Sequence, residues 1–217
     1  TLWHTLSLHD ALPIWAEIQS VWQDLTTRGR GAAPIFGDGA AAIVFSAAED
    51  ASDILSYTVG SNGNTEPLNA LVHNSACGET WGGSDADYAF IHPNMQGNKV
   101  FKHAIRGTVA SISEVLSAAG LTMENVNWFL PHQANYNINA AAAAFLGSEV
   151  ENHKDDLPVF KDDRWLSNIQ RYGNLSAASI PLLLHENIKN NNIKRGDLCV
   201  MSAYGAGFNW GALLFRY

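Results

Sequence analysis

The sequence predicts an α/β fold, and three observations lead to that prediction. Apolar residues recur every three to four positions along residues 101–119, the spacing of one helix face, and Gly120 stands where a C-terminal cap belongs. Apolar segments of strand length alternate with further helical segments after residue 120. A hydrophobic content of 47% in 217 residues is enough for a sizeable core. Such alternation predicts packed layers of helices and strands.

The other elements are predicted in chain order from apolar periods and breaker residues. A short apolar piece at Ile35 and Phe36 leads through a Gly-Asp-Gly turn into a strand at 40–45, followed by an acidic loop at 46–53. Residues 60–97 are rich in Gly, Asn, Ser and Asp and predict strands with long loops. After the long helix we expect a strand at 126–130, helices at 134–146 and 176–189, and closing strands at 198–203 and 212–217.

Composition restricts the partners and the compartment. A net charge of -8 argues against nucleic acid, because phosphate binding needs clustered Lys and Arg. Only 16% of the residues are charged, which favours a chain that is part of a larger assembly. Cys77 and Cys199 show no CxxC spacing, so we expect a reducing compartment, the cytoplasm. The apolar runs are too short for a membrane span, and we expect no membrane partner.

Two motifs place uncharged hydrogen-bond donors at the ends of predicted elements. LPHQAN at 130–135 puts His132 directly after a strand, and the fixed φ of Pro131 limits the direction of the imidazole. YGNLSAASIP at 172–181 puts Asn174 before a helix start. Taken singly, His132 also fits a buried histidine bonded to backbone, and Asn174 fits a turn or cap residue. As a donor pair they require a neutral histidine, which burial favours because it lowers the pKa.

With FGDGAAA at 36–42 and GAGFNWG at 205–211, these motifs resemble β-ketoacyl-acyl-carrier-protein synthase III and its relatives among the thiolase-like condensing enzymes. The four motifs stand in the family's order, and the resemblance covers about residues 27–217. It implies a layered αβαβα thiolase-like fold. Residues 51–217 would be its C-terminal half and 15–50 a remnant of the N-terminal half. The family's nucleophilic cysteine lies upstream of these motifs, so we expect no nucleophile in this chain, which alone would be inactive.

The resemblance also implies a reaction and its residues. The expected activity is that of an acyltransferase that joins an acyl thioester to a malonyl thioester by decarboxylative Claisen condensation. His132 and Asn174 would hydrogen-bond the malonyl thioester carbonyl, and the backbone N–H of Ala206 would be half of an oxyanion hole. Ala134 and Asn135 match positions near the pantetheine arm. The expected partners are acyl-CoA and a malonyl thioester of acyl carrier protein or CoA. The full-length protein is expected to be a homodimer, and no cofactor is expected.

Two other classes of function remain open at this level. Cys77, His132 and Asn174 could form a cysteine hydrolase, since Cys77-Gly78 and Trp81 match the C-G-x-x-W of papain-type enzymes. Glycines and acidic residues follow, however, where that family has a long helix. A non-catalytic thiolase-like domain is the second alternative. We expect no metal, because His73, Cys77 and His92 lack a second close ligand pair. The G-x-G-x-x-A at 37–42 leads into a strand rather than a helix, which argues against a nicotinamide cofactor.

Two segments depart from the family's pattern. Its members carry basic residues for the acidic carrier on the helix after the histidine motif, but residues 133–150 contain no Lys or Arg. CoA thioesters, or a carrier docked elsewhere, become candidate substrates. Lys154, Lys161 and Arg164 in the next loop are the alternative docking residues. At the other end, residues 5–14 resemble the conceptual translation of a common DNA-sequencing adapter, so we expect residues 1–14 to have no place in the core.

Overall fold

The computed structural model describes residues 11–23, 25, 33–46, 53–63, 71–73, 93–95, 97–151 and 157–217. Within these ranges, the strands are β1 Ile14–Glu17, β2 Gly39–Ala42, β3 Ile54–Ser61, β4 Leu71–His73, β5 Pro93–Met95, β6 Trp128–Pro131, β7 Val150–Glu151, β8 Val159–Phe160, β9 Leu198–Gly205 and β10 Asn209–Arg216. The α-helices are α1 Gly97–Ala118, α2 Tyr136–Phe145, α3 Ile169–Tyr172 and α4 Ser179–Lys189. Single 3-10 turns cover Ser20–Trp22, Met123–Asn125 and Ser176–Ala178.

A four-stranded mixed sheet lies at the centre of the described structure. Its strand order is β3-β10-β9-β6, with β6 parallel to β9 and the other neighbours antiparallel. Successive residues of a strand face opposite sides, so Phe129 and Val200 pack into one core cluster while Leu130 and Cys199 pack into another. Both faces of the sheet are therefore covered, as the apolar character of β6 and β9 requires.

Helices cover the two faces of this sheet. Ile112 of α1 and Ala143 of α2 pack with Leu214 of β10 on one side, and Leu183 of α4 packs with Leu130 on the other. Helix α4 also contacts β2, and the two-stranded antiparallel sheet of β1 and β2 packs against the turn before α4. The order of layers is helices, sheet, helix, sheet. The prediction of a layered α/β fold is confirmed.

The long helix α1 was predicted well at its end and less well at its start. It stops at Ala118, and Gly120 follows in the left-handed region with a φ of 65°. The Leu121 N–H donates to the Leu116 oxygen at 2.9 Å, which closes the last turn as a glycine cap does. The helix begins at Gly97 rather than at residue 101.

Capping moves two other helix starts inward from their predicted positions. Helix α2 begins at Tyr136 because Asn135 is its N-cap, with an extended backbone and a side-chain oxygen that accepts from the Asn137 N–H at 2.9 Å. The helix predicted from residue 176 starts as a 3-10 turn, since Ser176 has a positive φ of 48°, and becomes an α-helix at Ser179.

The strands differ more from their predicted bounds. The closing pair β9 and β10 is longer than expected and meets in a tight hairpin at residues 205–209, whereas β2 ends at Ala42 instead of residue 45. Strand β6 begins at Trp128 rather than at residue 126, although Asn127 still bonds β9: its N–H donates to the Leu198 oxygen and its side chain accepts the Leu198 N–H, both at 2.8 Å. Strand β3 was not predicted, and its apolar residues Tyr57 and Val59 are exposed.

The first described residues join the small sheet. Ala11 forms an isolated bridge with Phe45, and Ile14 pairs with Ala42 at the start of β1. Residues 1–10 lie outside the described part, and the domain division at residues 14 and 50 stays a prediction. Among the described residues, no helix is both long and apolar enough to cross a bilayer.

Candidate active site

All five residues that the sequence singled out for the site line one cavity. It has a volume of about 1090 Å³, and its lining includes His132, Ala134, Asn135, Asn174 and Ala206. They come from three places: the exit of β6, the segment before α4, and the hairpin between β9 and β10. The fold therefore brings together motifs that are more than seventy residues apart in sequence.

His132 is held at the end of β6 from two sides. Its backbone N–H donates to the Ser202 oxygen of β9 at 2.7 Å, which continues the ladder one residue past the strand. Its side-chain Nδ1 lies 2.8 Å from the Oγ of Ser179, the first residue of α4. The backbone N–H of Gln133 also donates to that Oγ, at 3.4 Å. The Ser179 hydroxyl can donate its hydrogen to Nδ1, and in that arrangement the ring hydrogen lies on Nε2.

The environment of His132 keeps the imidazole uncharged. Burial lowers its pKa from 6.5 to about 4, since desolvation disfavours the imidazolium. The Tyr204 ring meets the imidazole edge-on at a centroid distance of 5.3 Å. Near neutral pH the ring is therefore uncharged, and its Nε2 has no hydrogen-bond partner among the described residues.

Asn174 is fixed by its backbone and by one end of its side chain. Its N–H donates to the Ile35 oxygen at 2.8 Å, and its carbonyl accepts from the Gly37 N–H at 3.0 Å. The side-chain Oδ1 accepts from the Ser176 N–H at 2.8 Å. Only 7% of the residue is exposed, and within the described ranges its Nδ2 has no partner. The amide hydrogens are the part left for a ligand.

The Gly-Asp-Gly turn packs closely against the backbone of residues 172–174 and so helps to place Asn174. A Cβ at Gly37 would overlap the carbonyl oxygen of Tyr172, so only glycine permits this approach. Gly173 has a φ of 70°, the left-handed region that glycine tolerates, and it turns the chain from α3 into Asn174. The 36–42 motif therefore has a structural role in placing Asn174.

Ala206 lies in the hairpin between β9 and β10. Its carbonyl accepts from the Asn209 side chain at 2.9 Å. Gly207 and Phe208 have φ angles of 73° and 44°, as a tight turn requires. Phe208 is only 3% exposed and packs against the His103 ring of α1 at 4.9 Å, which pins the hairpin to that helix.

Neither the metal hypothesis nor a nucleophilic role for Cys199 gains support from the described residues. Cys199 is completely buried in β9, and burial raises the pKa of its thiol to about 12, so it is not a nucleophile near neutral pH. Cys77 and His92 of the hydrolase and metal hypotheses lie outside the described residues. His73 falls in the short strand β4. Within the described ranges, no group of three His, Cys, Asp or Glu side chains could hold a metal ion.

The loop cations are engaged in internal contacts. Lys161 pairs with Glu151. The Arg164 guanidinium binds the Asp162 carboxylate at 2.7 and 2.8 Å and donates to the backbone oxygens of Met123 and Val126. Lys154 lies outside the described residues.

Sequence reasoning missed Ser179 and Tyr204, which both contact the His132 ring. Each lies within or beside a motif that had been singled out. Nothing in the spacing indicates a contact between residues 132 and 179, because it depends on how α4 packs against β6.

Comparison with known proteins agrees with this architecture. Two family models match the chain: 3-oxoacyl-[acyl-carrier-protein] synthase III over residues 4–63, and the C-terminal model of the same enzyme over residues 116–217. The β-ketoacyl-[acyl-carrier-protein] synthase III of Aquifex aeolicus is 40% identical over 196 residues, covering 90% of this chain and 53% of the relative. The enzyme of that name from Alkalilimnicola ehrlichii is 36% identical over 213 residues, covering 98% and 60%.

A solved structure extends the similarity to three dimensions. The crystal structure of 3-oxoacyl-[acyl-carrier-protein] synthase III from Aquifex aeolicus superposes with a TM-score of 0.79 at 36% identity, over 96% of this chain and 58% of that one. The layered fold is thus that of the thiolase-like condensing enzymes. The chain belongs to the β-ketoacyl-acyl-carrier-protein synthase III family. It spans between 53% and 60% of the length of these curated relatives.

Proposed function

We propose that the chain forms the decarboxylating part of an acyltransferase site that joins an acyl thioester to a malonyl thioester. The proposal rests on the placement of His132 and Asn174. His132 and Asn174 line the same cavity, and each has one polar end held by the protein, by Ser179 and by the Ser176 N–H respectively. Two uncharged donors with fixed orientation suit an oxygen on which negative charge develops.

The chemistry assigned to the pair is the loss of carbon dioxide. The bond between the malonyl carboxylate and the α-carbon breaks, its electrons form a thioester enolate, and the enolate oxygen accepts from His132 Nε2 and Asn174 Nδ2. The α-carbon then attacks the acyl thioester, a carbon–carbon bond forms, and a thiolate leaves. A neutral histidine suits this step, because an imidazolium would protonate the enolate.

Acyl loading belongs to a cysteine outside the described site. In the family's motif order that nucleophile lies upstream of all four motifs, whereas Cys77 and Cys199 both follow the motif at 36–42. The oxyanion hole for the acyl group would take the Ala206 N–H as one donor and the cysteine's own N–H as the other. The cavity's location at the Ala206 hairpin supports this role.

The substrates we propose are acyl-CoA and a malonyl thioester, with an acidic carrier protein docking on α1. Helix α2 has no Lys or Arg, whereas α1 carries Lys102 and Arg106 on its exposed side. Phe101, next to Lys102, lines the cavity, so the basic side of α1 lies near the cavity's edge. Ala134 and Asn135 line the cavity as well and are proposed for the pantetheine arm. A homodimer and a cytoplasmic location complete the proposal.

The test uses the product of the complete gene with acyl-CoA and malonyl thioester. We expect release of carbon dioxide and a β-ketoacyl thioester that mass spectrometry detects. The control is Cys199→Ala, which removes a buried thiol and should leave the product yield unchanged. Hydrolysis of peptide or ester substrates that depends on Cys77, without condensation product, would instead favour the cysteine hydrolase. If the protein shows neither condensation nor hydrolysis, the result would favour the non-catalytic thiolase-like domain.

A further inference from the structure

The side-chain amide of Gln133 is completely buried and fully paired. Its Nε2 donates to the Pro131 oxygen at 2.8 Å and to the Leu166 oxygen at 3.5 Å. Its Oε1 accepts from the Ser167 hydroxyl at 2.9 Å and from the Asn168 backbone N–H at 3.2 Å. A buried amide with each donor and acceptor used holds its partners at fixed distances. The amide thus ties the exit of β6 to residues 166–168.

The tied segment leads directly to the second donor of the site. Asn168 is the N-cap residue of α3, and after α3 the chain reaches Asn174 through Gly173. A second anchor fixes the same segment to α4, since the Asn168 Nδ2 donates to Glu186 Oε2 at 2.7 Å and the Tyr172 hydroxyl donates to Glu186 Oε1 at 2.6 Å. Residues 166–168 are therefore connected to Asn174 through α3 and Gly173, and Glu186 holds this connection at Asn168 and Tyr172.

These bonds form a closed path around the site. From His132 the path runs through Ser179 into α4, along α4 to Glu186, across to Asn168, and through Gln133 back to His132. Within this path Gln133 joins the exit of β6 to residues 167 and 168, and it is not among the residues that line the cavity.

We infer that Gln133 is a positioning residue that sets the separation of the His132 and Asn174 donors. The inference rests on the proposed function, because the separation matters only if both donors bind one enolate oxygen. An apolar side chain of similar volume fills the space but leaves the Asn168 N–H and the Pro131 oxygen without their partner. The segment is then free to shift, and a displacement near 1 Å lowers the rate about a hundredfold.

The experiment compares Gln133→Met with wild type in the product of the complete gene, with malonyl-CoA as the probe and carbon dioxide release as the readout. We expect kcat for decarboxylation to fall about ten- to a hundredfold, while KM for malonyl-CoA changes less than about twofold. Loss of folded protein would also lower apparent kcat without changing KM, so kcat is expressed per folded enzyme, whose concentration is measured separately. Wild-type kcat in Gln133→Met would overturn the inference.

Two further variants keep the result interpretable. Ile112→Val removes one methylene group from the core cluster on α1, away from the cavity, and should retain wild-type kcat despite a lower melting temperature. An equal fall in kcat for Ile112→Val would attribute the effect to stability and overturn the inference. If Gln133→Met fails to fold, Ser167→Ala removes one of the four bonds and should lower kcat severalfold. Unchanged kcat in Ser167→Ala would then count against Gln133.

A double-mutant cycle separates direct from indirect action. If Ser167 acts through Gln133, Ser167→Ala should lower kcat in wild type and have no further effect in Gln133→Met. Full additivity of the two changes would contradict the path. Failure of the proposed function looks different: His132→Ala would then release carbon dioxide at the wild-type rate. Loss in His132→Ala with retention in Gln133→Met overturns the positioning role alone.

Discussion

At the scale of residues, the site depends on which atoms the protein occupies and which it leaves available. Ser179 binds Nδ1 of His132, and the Ser176 N–H binds Oδ1 of Asn174, so Nε2 and Nδ2 are the nitrogens left for a ligand in the cavity that both residues line. Both side chains would rotate or change tautomer without these contacts. The orientation of the donors is therefore a property of their neighbours as much as of the motifs.

Replacing Ser179 by Ala should disturb the tautomer of His132. With no hydroxyl at Nδ1, the ring hydrogen is expected to divide between the two nitrogens, and decarboxylation should fall about tenfold. Nitrogen-15 NMR of labelled histidine measures the tautomer directly. The control is Ser111→Ala, which removes a buried hydroxyl on α1 that donates to the Thr108 oxygen. A pure Nε2–H tautomer in Ser179→Ala would contradict the assigned contact.

The lowered pKa of His132 predicts a pH dependence of stability. Its pKa is about 4 in the folded state and 6.5 in the unfolded state, so the unfolded chain binds a proton that the folded chain does not between these values. Stability is therefore complete above pH 6.5 and falls as the pH drops toward 4, by up to about 3 kcal/mol.

Denaturant unfolding at several pH values, compared with His132→Asn, measures this contribution. The variant has no titrating group at the position and should lose less of its free energy of unfolding on acidification. Identical pH slopes for the two proteins would contradict the burial of His132 as the cause.

At the scale of elements, close backbone approach connects the Gly-Asp-Gly turn to the Asn174 motif. Gly37→Ala would push its new methyl group into the Tyr172 carbonyl and should cost about 1–3 kcal/mol of stability. It should also lower decarboxylation, since the Gly37 N–H donates to the Asn174 oxygen and the Asn174 N–H donates to the nearby Ile35 oxygen. The matched control is Gly63→Ala, where a Cβ meets nothing within 4 Å. Equal melting temperatures of the two variants would exclude the proposed contact.

Elements with a strong local signal were predictable, and those decided by long-range contacts were not. The spacing of apolar residues in α1 and its cap at Gly120 are both visible in the local sequence. Strand β3 lacks such a signal, because Tyr57 and Val59 are exposed apolar residues on an edge strand, 74% and 82% accessible. The start of α4 depends on the positive φ of Ser176, which the sequence does not reveal.

The same division applies to the site. His132 and Asn174 were predicted because each stands in a motif at the end of an element. The bonds from Gln133 to residues 167 and 168 cross 34 and 35 positions and follow from packing rather than from pattern. Local sequence therefore identified the donors but not the network that orients them.

At the scale of the whole molecule, the distribution of charge predicts where a carrier protein docks. The chain has a net charge of -8 and no basic residue on α2, so the exposed Lys102 and Arg106 of α1 are a local exception near the cavity. Lys102→Glu with Arg106→Glu should raise KM for malonyl carrier protein about tenfold at low salt and leave KM for malonyl-CoA nearly unchanged. Lys189→Glu with Lys194→Glu, two exposed residues at and after the end of α4, is the charge-matched control.

Salt gives an independent check of the docking surface. The difference between wild type and the α1 variant should shrink as ionic strength rises, because exposed charges are screened. Equal KM values for carrier protein in wild type and the α1 variant would show that the carrier docks elsewhere.

The layers of the molecule also explain why the site lies where it does. Helix α4 lies between the two sheets and begins at Ser179, beside the exit of β6, while the β9–β10 hairpin closes the same end. Strand exits, a helix start and a hairpin thus meet at one end of the layered structure. Such positions allow side chains and backbone N–H groups to reach a ligand without interrupting the core.

Carbon dioxide release by His132→Ala is the most direct test of the central claim. In the product of the complete gene, the variant should release carbon dioxide from malonyl-CoA about a hundredfold to a thousandfold more slowly than wild type. Transfer of the acyl group to the nucleophile, measured by labelled acyl-CoA, should remain comparatively intact because His132 acts on the second substrate. Wild-type rates of carbon dioxide release in His132→Ala would contradict the role assigned to the pair His132 and Asn174.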